Sequence, residues 1–379
     1  MTQIKRVLIV GGGIGGLCTG IGLAQAGIAS EIIEIKTDWS VYGVGIIQPS
    51  NQLRALAELG LAGACVERGS AFLGWEFYDD AGNVQAKVPY PEVAGRGYPP
   101  INGIARPVLH EILTATAKQL GVNVRLGLTV DAIHDTADGV KVRFSDGATG
   151  AYDLMIGADG AYSKVRTLLF GGSQRPVFNG LAVWRYNFPR PPEMKWGSVH
   201  YSRRAKAGLV PISPSLMYVF VVTPEPTNAK PSSSSLADDM RERLGDFGGP
   251  VATLREQIVN SAGVVYRPME PILQPAPWHR GHVLLIGDAA HAATPHLSQG
   301  ASIAIEDAVL IAQLLSHDRP LGDLFAEFMR RRFERCKFVV DTSSKLSRWE
   351  VAEFAGRPDP ETDHAGTMAD AGRVLAQPY

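Results

Sequence analysis

Three short runs stand in fixed order along the chain, and the first has the types and spacing to hold a phosphorylated cofactor. The first is Gly11-Gly12-Gly13-Ile14-Gly15-Gly16. In a G-x-G-x-x-G turn, Gly11 permits the tight bend, Gly13 lets a pyrophosphate approach the backbone, and Gly16 allows a helix to pack closely on a strand. A helix opening at Gly15 and Gly16 aims its N–H groups and positive dipole end at the phosphates. Glu34 ends the next apolar run, where an acidic residue accepts ribose hydroxyls. The second run is Asp153-Leu154-Met155-Ile156-Gly157-Ala158-Asp159-Gly160, and the third is Gly287-Asp288-Ala289-Ala290-His291.

The elements around these runs fit that chemistry. Residues 6–10 (Arg-Val-Leu-Ile-Val) read as a buried parallel strand, 17–26 as a helix and 31–34 as a second strand. Strand, glycine turn, helix and strand make a right-handed βαβ unit. Helices are expected at 50–61 and 107–120. Strands are expected at 75–90, 123–125, 129–134, 140–144 and 153–156. From about 176 to 271 the texture changes. Strands at 181–188, 196–202 and 216–222 predict a second, mostly antiparallel sheet, with a surface loop at 226–235 and helices at 236–244 and 251–260. A buried strand at 283–286, a helix at 301–315 and one or two long helices over 321–351 follow, and the polar tail from Gly356 is expected to be partly disordered. The nucleotide motifs flank the middle segment. The division is therefore a discontinuous cofactor domain (1–175 and 272–345), an inserted substrate lobe (176–271), and a C-terminal helix end and tail (346–379).

Composition narrows the function. Among 379 residues, Lys plus Arg number 37 and Asp plus Glu 38, so no basic excess draws the chain to nucleic acid or anionic lipid. Cys18, Cys65 and Cys336 are isolated, which argues against a disulfide framework, a zinc site or a dithiol enzyme. Cys18 is expected to be a buried structural thiol. No signal peptide precedes the first strand, and no run approaches the roughly 20 apolar residues that cross a bilayer. A cytoplasmic setting is expected, as a monomer or homodimer.

With all three runs in place, the chain resembles the FAD-dependent aromatic hydroxylases, the single-component flavoprotein monooxygenases of the para-hydroxybenzoate hydroxylase type. Asp153, Gly157, Ala158, Asp159, Gly160, Ser163 and Arg166 match that family's D-x-x-x-G-A-D-G-x-x-S-x-x-R motif. Gly287, Asp288, Ala289, Ala290, His291 and Pro295 match its G-D-A-A-H-x-x-x-P motif. The resemblance implies that Asp159, Gly160 and Arg166 lie near the flavin pyrophosphate and the path of NADH or NADPH. It implies that Asp288 meets the ribityl chain and that the Pro295 carbonyl lies beside the reacting face of the ring. Gly45, within Gly43-Val44-Gly45-Ile46, and Arg106 match further FAD-contacting positions. Glu306-Asp307-Ala308 matches the helix after the flavin loop. Backbone N–H groups around Gln299, Gly300 and Ala301 would bind the flavin carbonyl edge. The family has G-Q-G here, and this chain has Ser298-Gln299-Gly300, so Ser298 restricts backbone angles that glycine allows. No second G-x-G-x-x-G is present, which fits transient docking of the nicotinamide without its own domain.

The fold that follows is α/β: a Rossmann-like FAD-binding domain with an inserted antiparallel lobe and C-terminal helices. The chemistry the resemblance implies is reduction of FAD by NAD(P)H, addition of O2 to give a C4a-hydroperoxide, and oxygen transfer to a small phenolic or N-heteroaromatic ring, carboxylated in some cases. Two alternatives are epoxidation or hydroxylation of a larger natural product, and a non-catalytic FAD protein. Tyr218 could bind or deprotonate a ring hydroxyl, or be a core tyrosine tied to backbone. Arg185 could hold a substrate carboxylate, or be a solvated strand arginine. His200 and His296 are candidate bases. His291 reads as structural, and Arg330-Arg331-Arg332 as a solvated helix face.

Overall fold

A computed structural model describes residues 4–39, 41, 43–95, 97–228 and 230–379. The first three residues, and Ala229 within the expected loop at 226–235, lie outside these.

A six-stranded sheet carries the first glycine run and its neighbours. Arg6–Val10 lies between Ala29–Glu34 and Leu154–Gly157, parallel to both. Val283–Leu285 extends the sheet on one side and Asn123–Leu126 on the other, again parallel. Four of the five residues of the first strand are buried, as an all-apolar central strand must be. Two helices cover this sheet side by side. Ile14–Gln25 follows the glycine turn, and Gly300–Leu315 follows the third motif. Small residues set their spacing. A Cβ added at Gly22 would come within 2.8 Å of the Ala312 methyl, and one at Gly15 within 3.6 Å of Ala304. Both helices therefore bring their N-termini to the same edge of the sheet.

The other large sheet has seven strands. Its order is Val265–Pro268, Leu181–Pro189, Leu216–Pro224, Lys206–Pro211, Gly197–Tyr201, Gly74–Tyr78 and Val84–Pro89. All pairings are antiparallel except Gly197–Tyr201 with Gly74–Tyr78. Two of its strands thus come from residues 74–89, before the middle segment. Strand Lys206–Pro211 is not among the expected elements, nor are Gly45–Pro49 and Ile101–Ala105, which pair with each other. All three are short and carry glycine or proline, so their local signal is weak.

The C-terminal region departs from expectation in two places. One helix, Leu321–Phe354, spans the whole segment, and Arg332 on it is fully buried rather than solvated. The tail is not a loose end either. His364–Ala376 is helical, with Ala371 and Leu375 buried. Arg335 donates to the Val374 carbonyl at 3.0 Å, and Arg54 donates to Ala376 and Gln377 at 2.8 Å each. Those arginines satisfy the helix-end carbonyls from distant parts of the chain, which no local pattern in a polar tail foretells. Cys18, as expected, is fully buried, and burial pushes its thiol pKa up.

Candidate active site

The three glycines of the first motif do three different things. Gly11 has φ +111°, and a Cβ there would sit 2.3 Å from the Ala158 carbonyl oxygen. A Cβ at Gly16 would lie 1.9 Å from the Gly11 oxygen, so helix and turn cannot close around a larger residue. Gly13 differs: nothing lies within 4 Å of where its Cβ would be, and its φ is an ordinary −77°. The fold does not need glycine there; an approaching ligand does. No side chain caps the helix start at Gly13, so its first N–H groups face open space. Glu34 accepts from the Gly12 N–H at 2.8 Å and the Lys36 N–H at 3.0 Å, and each oxygen keeps a lone pair for a ribose hydroxyl.

The second motif is a brace. The Asp159 carboxylate accepts from Ser163 Oγ at 2.5 Å, Lys164 N at 2.8 Å and Val165 N at 3.0 Å. Burial raises its pKa against the pull of those donors. Gly160, at φ +82°, has open space beside it. The buried Arg166 donates to the Ala161 carbonyl at 2.7 Å and to the Ala289 carbonyl at 2.8 Å. It therefore ties the second motif to the third.

The third motif rests on a buried ion network. Asp307 accepts from Gly287 N at 2.9 Å, pairs with His291 Nε2 at 2.7 Å, and receives Arg332 Nε at 2.7 Å. Glu306 receives Arg332 Nη1 and Arg335 Nε at 2.8 Å each. His291 is fully enclosed, as a structural histidine should be. The pull of Cys336 and Asp307 outweighs its burial and raises its pKa well above the ordinary value. His291, Asp307 and Cys336 converge, with ligating atoms within 4.8 Å of one another. The Arg332 guanidinium already occupies that carboxylate as its cation, so the donor set does not suit a metal ion. Asp288 itself is exposed, and its carboxylate makes no hydrogen bond or ion pair among the described residues; desolvation raises its pKa, and the charges of His291 and Arg106 oppose that rise.

Above this network lies the loop from Pro295 to Ala301. Asn51, which the sequence reading missed, donates to Gln299 Oε1 at 2.8 Å and to Glu306 Oε1 at 3.2 Å. Ser298 adopts φ 56°, ψ 31°, a left-handed conformation rare for residues other than glycine. The departure from the family's glycine therefore falls where glycine would be at ease. Helix Gly300–Leu315 starts with no side-chain cap, and a Cβ at Gly300 would meet nothing within 4 Å. Two uncapped helix starts, an open glycine at each, and a carboxylate at the end of the second strand suit the phosphates, carbonyl edge and ribose of FAD.

Strand register decides which candidate side chains share a face of the seven-stranded sheet. Arg185 pairs with Phe220 and Asn187 with Tyr218, so all four share one face of the seven-stranded sheet. Tyr218 packs on Gly45, where a Cβ would lie 2.5 Å from its ring. Its hydroxyl makes no hydrogen bond among the described residues. Burial pushes its pKa up to about 12, with Arg185 opposing. Arg185 faces Tyr218, Arg106 and Arg267. Arg106, in turn, packs against Gly43 and faces Asp288.

His200 lies on the other face of the sheet. It pairs with Ala207, which pairs with Val221 and so with Trp184, all on the opposite face. There His200 stacks on Tyr78 at 4.4 Å and lies 3.0 Å from Ser198 Oγ, and burial takes its pKa down to about 4. His296 does sit on the flavin loop, but both ring nitrogens are engaged: Nδ1 with Thr294 Oγ1 at 2.8 Å and Nε2 with Glu350 at 3.0 Å. Glu350 also pairs with Lys206. Lys206 and Glu350 were missed because they lie 144 residues apart and meet only in three dimensions.

Comparison with known proteins agrees with this geometry. The FAD binding domain family matches residues 5–319. The chain is 30% identical over 351 residues to the 2-heptyl-3-hydroxy-4(1H)-quinolone synthase of Pseudomonas aeruginosa, covering 91% of this chain and 90% of that one. It is 27% identical over 346 residues to the FAD-dependent urate hydroxylase of Klebsiella oxytoca, covering 88% of each. In fold it resembles Klebsiella pneumoniae HpxO complexed with FAD and uric acid, with a TM-score of 0.87 and 22% identity, covering 99% of this chain and 97% of that one. The glycine cradle, the braced second motif and the loop over the buried ion network are thus those of a flavoprotein monooxygenase, and the chain belongs to the FAD binding domain family.

Proposed function

We propose that the enzyme uses NADH or NADPH and O2 to hydroxylate a small phenolic or N-heteroaromatic ring held between the flavin loop and the seven-stranded sheet. The observation that carries this reading is the shared face of Arg185, Asn187, Tyr218 and Phe220, which Arg106 links to Asp288 of the flavin motif. The relatives named for a quinolone and for urate act on nitrogen-containing rings, in keeping with it.

FAD bound at the glycine cradle supplies the activation of oxygen. In balance, two electrons from NAD(P)H and two from the ring reduce O2, leaving one oxygen as a ring hydroxyl and the other as water. The chain's own residues bind, orient and dry the ring. Tyr218, with its pKa near 12, stays protonated at neutral pH and donates a hydrogen bond to a ring oxygen rather than acting as a base. Ionised Glu350 accepts a hydrogen bond from His296 Nε2–H, so Nδ1 accepts from Thr294, and His296 positions the loop. Val44, Phe72, Val210 and Ile212 close the floor with apolar surface that keeps water from the reacting centre.

In this reading residues 1–175 and 272–345 serve the cofactor, and 176–271 serve the substrate together with strands 74–89. Residues 346–379 add Glu350 and the tail. Among the described residues no helix is long and apolar enough to cross a membrane. We place the enzyme in the cytoplasm, as a monomer or homodimer. The heptyl chain in the name of the quinolone relative favours a second reading, a larger natural product on the same apolar floor.

The test is anaerobic stopped-flow reduction of the bound flavin by NADH and by NADPH, across hydroxylated benzoates, phenols, hydroxypyridines and an alkylquinolone. Strong acceleration by one small ring supports the proposal. Acceleration by the alkylquinolone alone moves the assignment to the second reading, and no reduction under any condition refutes both.

A further inference from the structure

Three consecutive polar residues open helix Ser50–Glu58, and all three are buried. Polar side chains are rarely enclosed unless a partner holds them. Ser50 donates to the Pro91 carbonyl at 2.7 Å, which ties the helix start to the chain after Val84–Pro89. The other two reach across to the flavin loop and the helix behind it. Gln52 Oε1 accepts from Ser302 Oγ at 3.1 Å. Asn51 and Gln299 exchange amides: Asn51 Nδ2 donates to Gln299 Oε1 at 2.8 Å, and Gln299 Nε2 donates to Asn51 Oδ1 at 3.1 Å.

Charge fixes the orientation of that pair. Asn51 Nδ2 also donates to Glu306 Oε1 at 3.2 Å, and Glu306 is held in turn by Arg332 and Arg335. An ionised carboxylate accepts only from the amide nitrogen, so the Asn51 amide cannot turn over, and it orients the Gln299 amide in its turn. The Gln299 side chain is thereby turned inward and enclosed, and the loop offers a ligand its backbone at this position. Asn51 also stands two residues beyond strand Gly45–Pro49, which carries the FAD-matching Gly45. One short segment thus bears one expected wall of the flavin site and grips the other.

We propose that Asn51 is a positioning residue for the flavin: acting through Gln299, it sets where the backbone of the loop from Pro295 to Ala301 stands against strand Gly45–Pro49. This rests on the reading that the loop meets the flavin, and it adds the residue that holds the loop in place.

The experiment uses the full chain stripped of flavin and titrated with FAD. It reads the quenching of flavin fluorescence and the band shape of the bound flavin's visible absorbance. Asn51→Ala is expected to weaken FAD binding roughly tenfold and to alter the band shape. Gln299→Met removes the same pair while keeping the backbone N–H, and is expected to do likewise. Asn51→Ala placed in the Gln299→Met background is expected to weaken binding less than about twofold further, because the shared interaction is already gone. Arg54→Met is the control for stability alone. Arg54 lies one turn further on and grips the tail at Ala376 and Gln377, so its loss should lower the melting temperature and leave FAD affinity and band shape as in wild type. If Asn51→Ala does not fold, Asn51→Ser and Gln299→Met decide. Wild-type FAD affinity in both single variants, full additivity of the two, or a band shape altered no more than in Arg54→Met overturns the proposal. Weakened FAD in the variants, beside a wild-type flavin that no nicotinamide reduces with any ring, keeps the proposal and removes the monooxygenase reading. Ring-accelerated reduction in wild type with unchanged FAD binding in the variants does the reverse.

Discussion

Glu350 offers the sharpest test of how the C-terminal helix supports the site. Its side chain is 5% exposed and is shared by Lys206, 13% exposed, and His296, 2% exposed. The two partners hold its pKa at about 2, against an ordinary 4.5, despite burial. That displacement corresponds to about 3 kcal/mol of stability at neutral pH. It agrees with the roughly 3–5 kcal/mol lost when one member of a buried pair is removed. Because the folded-state pKa is depressed, the contribution is complete above about pH 4.5 and disappears as pH falls from 4.5 toward 2. Glu350→Gln should therefore lower unfolding stability by about 3 kcal/mol at pH 7, measured by urea denaturation at fixed FAD concentration. The gap to wild type should close as the pH is lowered through that window. Most of the loss comes from leaving Lys206 buried and unpaired, so Glu350→Gln with Lys206→Met should be less damaging than the sum of the two by more than about 1 kcal/mol. A loss under about 0.5 kcal/mol, or strict additivity of the pair, would refute the argument.

Three further outcomes follow from the geometry. Gly13→Ala should leave the apoprotein as stable as wild type, because nothing lies within 4 Å of the new methyl, yet weaken FAD binding at least tenfold; Gly16→Ala should fail to fold, with its methyl 1.9 Å from a carbonyl oxygen. Equal behaviour of the two variants in thermal melts and FAD titration would contradict the roles given to them. Ser298→Gly should raise stability by up to about 1 kcal/mol, since it relieves a left-handed φ of 56°, and a fall in melting temperature would count against that strain. His200→Phe should keep turnover and its pH profile within about twofold, because the residue lies on the far face and its pKa near 4 keeps it neutral; a tenfold loss in a well-folded variant would return His200 to the chemistry.

The local logic of the cofactor half is written in the chain. A β-branched run followed by Gly11 and Gly16 can only be a strand turning tightly into a packed helix, since positive φ and van der Waals exclusion act within a few residues. The capping of Lys164–Phe170 by Asp159 and Ser163 is equally local. The sequence motifs therefore reach the FAD site directly. The substrate half is different. Arg185 and His200 lie on opposite faces by strand register, and a shift of one residue would exchange the two faces. The buried place of Arg332 depends on Glu306 and Asp307 meeting it from another helix, and the tail is held by Arg335 and Arg54. Glu350 becomes a partner of Lys206 and His296 only when the long helix packs beside the strand and the loop that carry them. Short-range sterics and turn chemistry thus wrote a dinucleotide cradle into the sequence, and the resemblance carried by the second and third motifs pointed to FAD. Tertiary packing decided which charges are paired and which side chains share a sheet face.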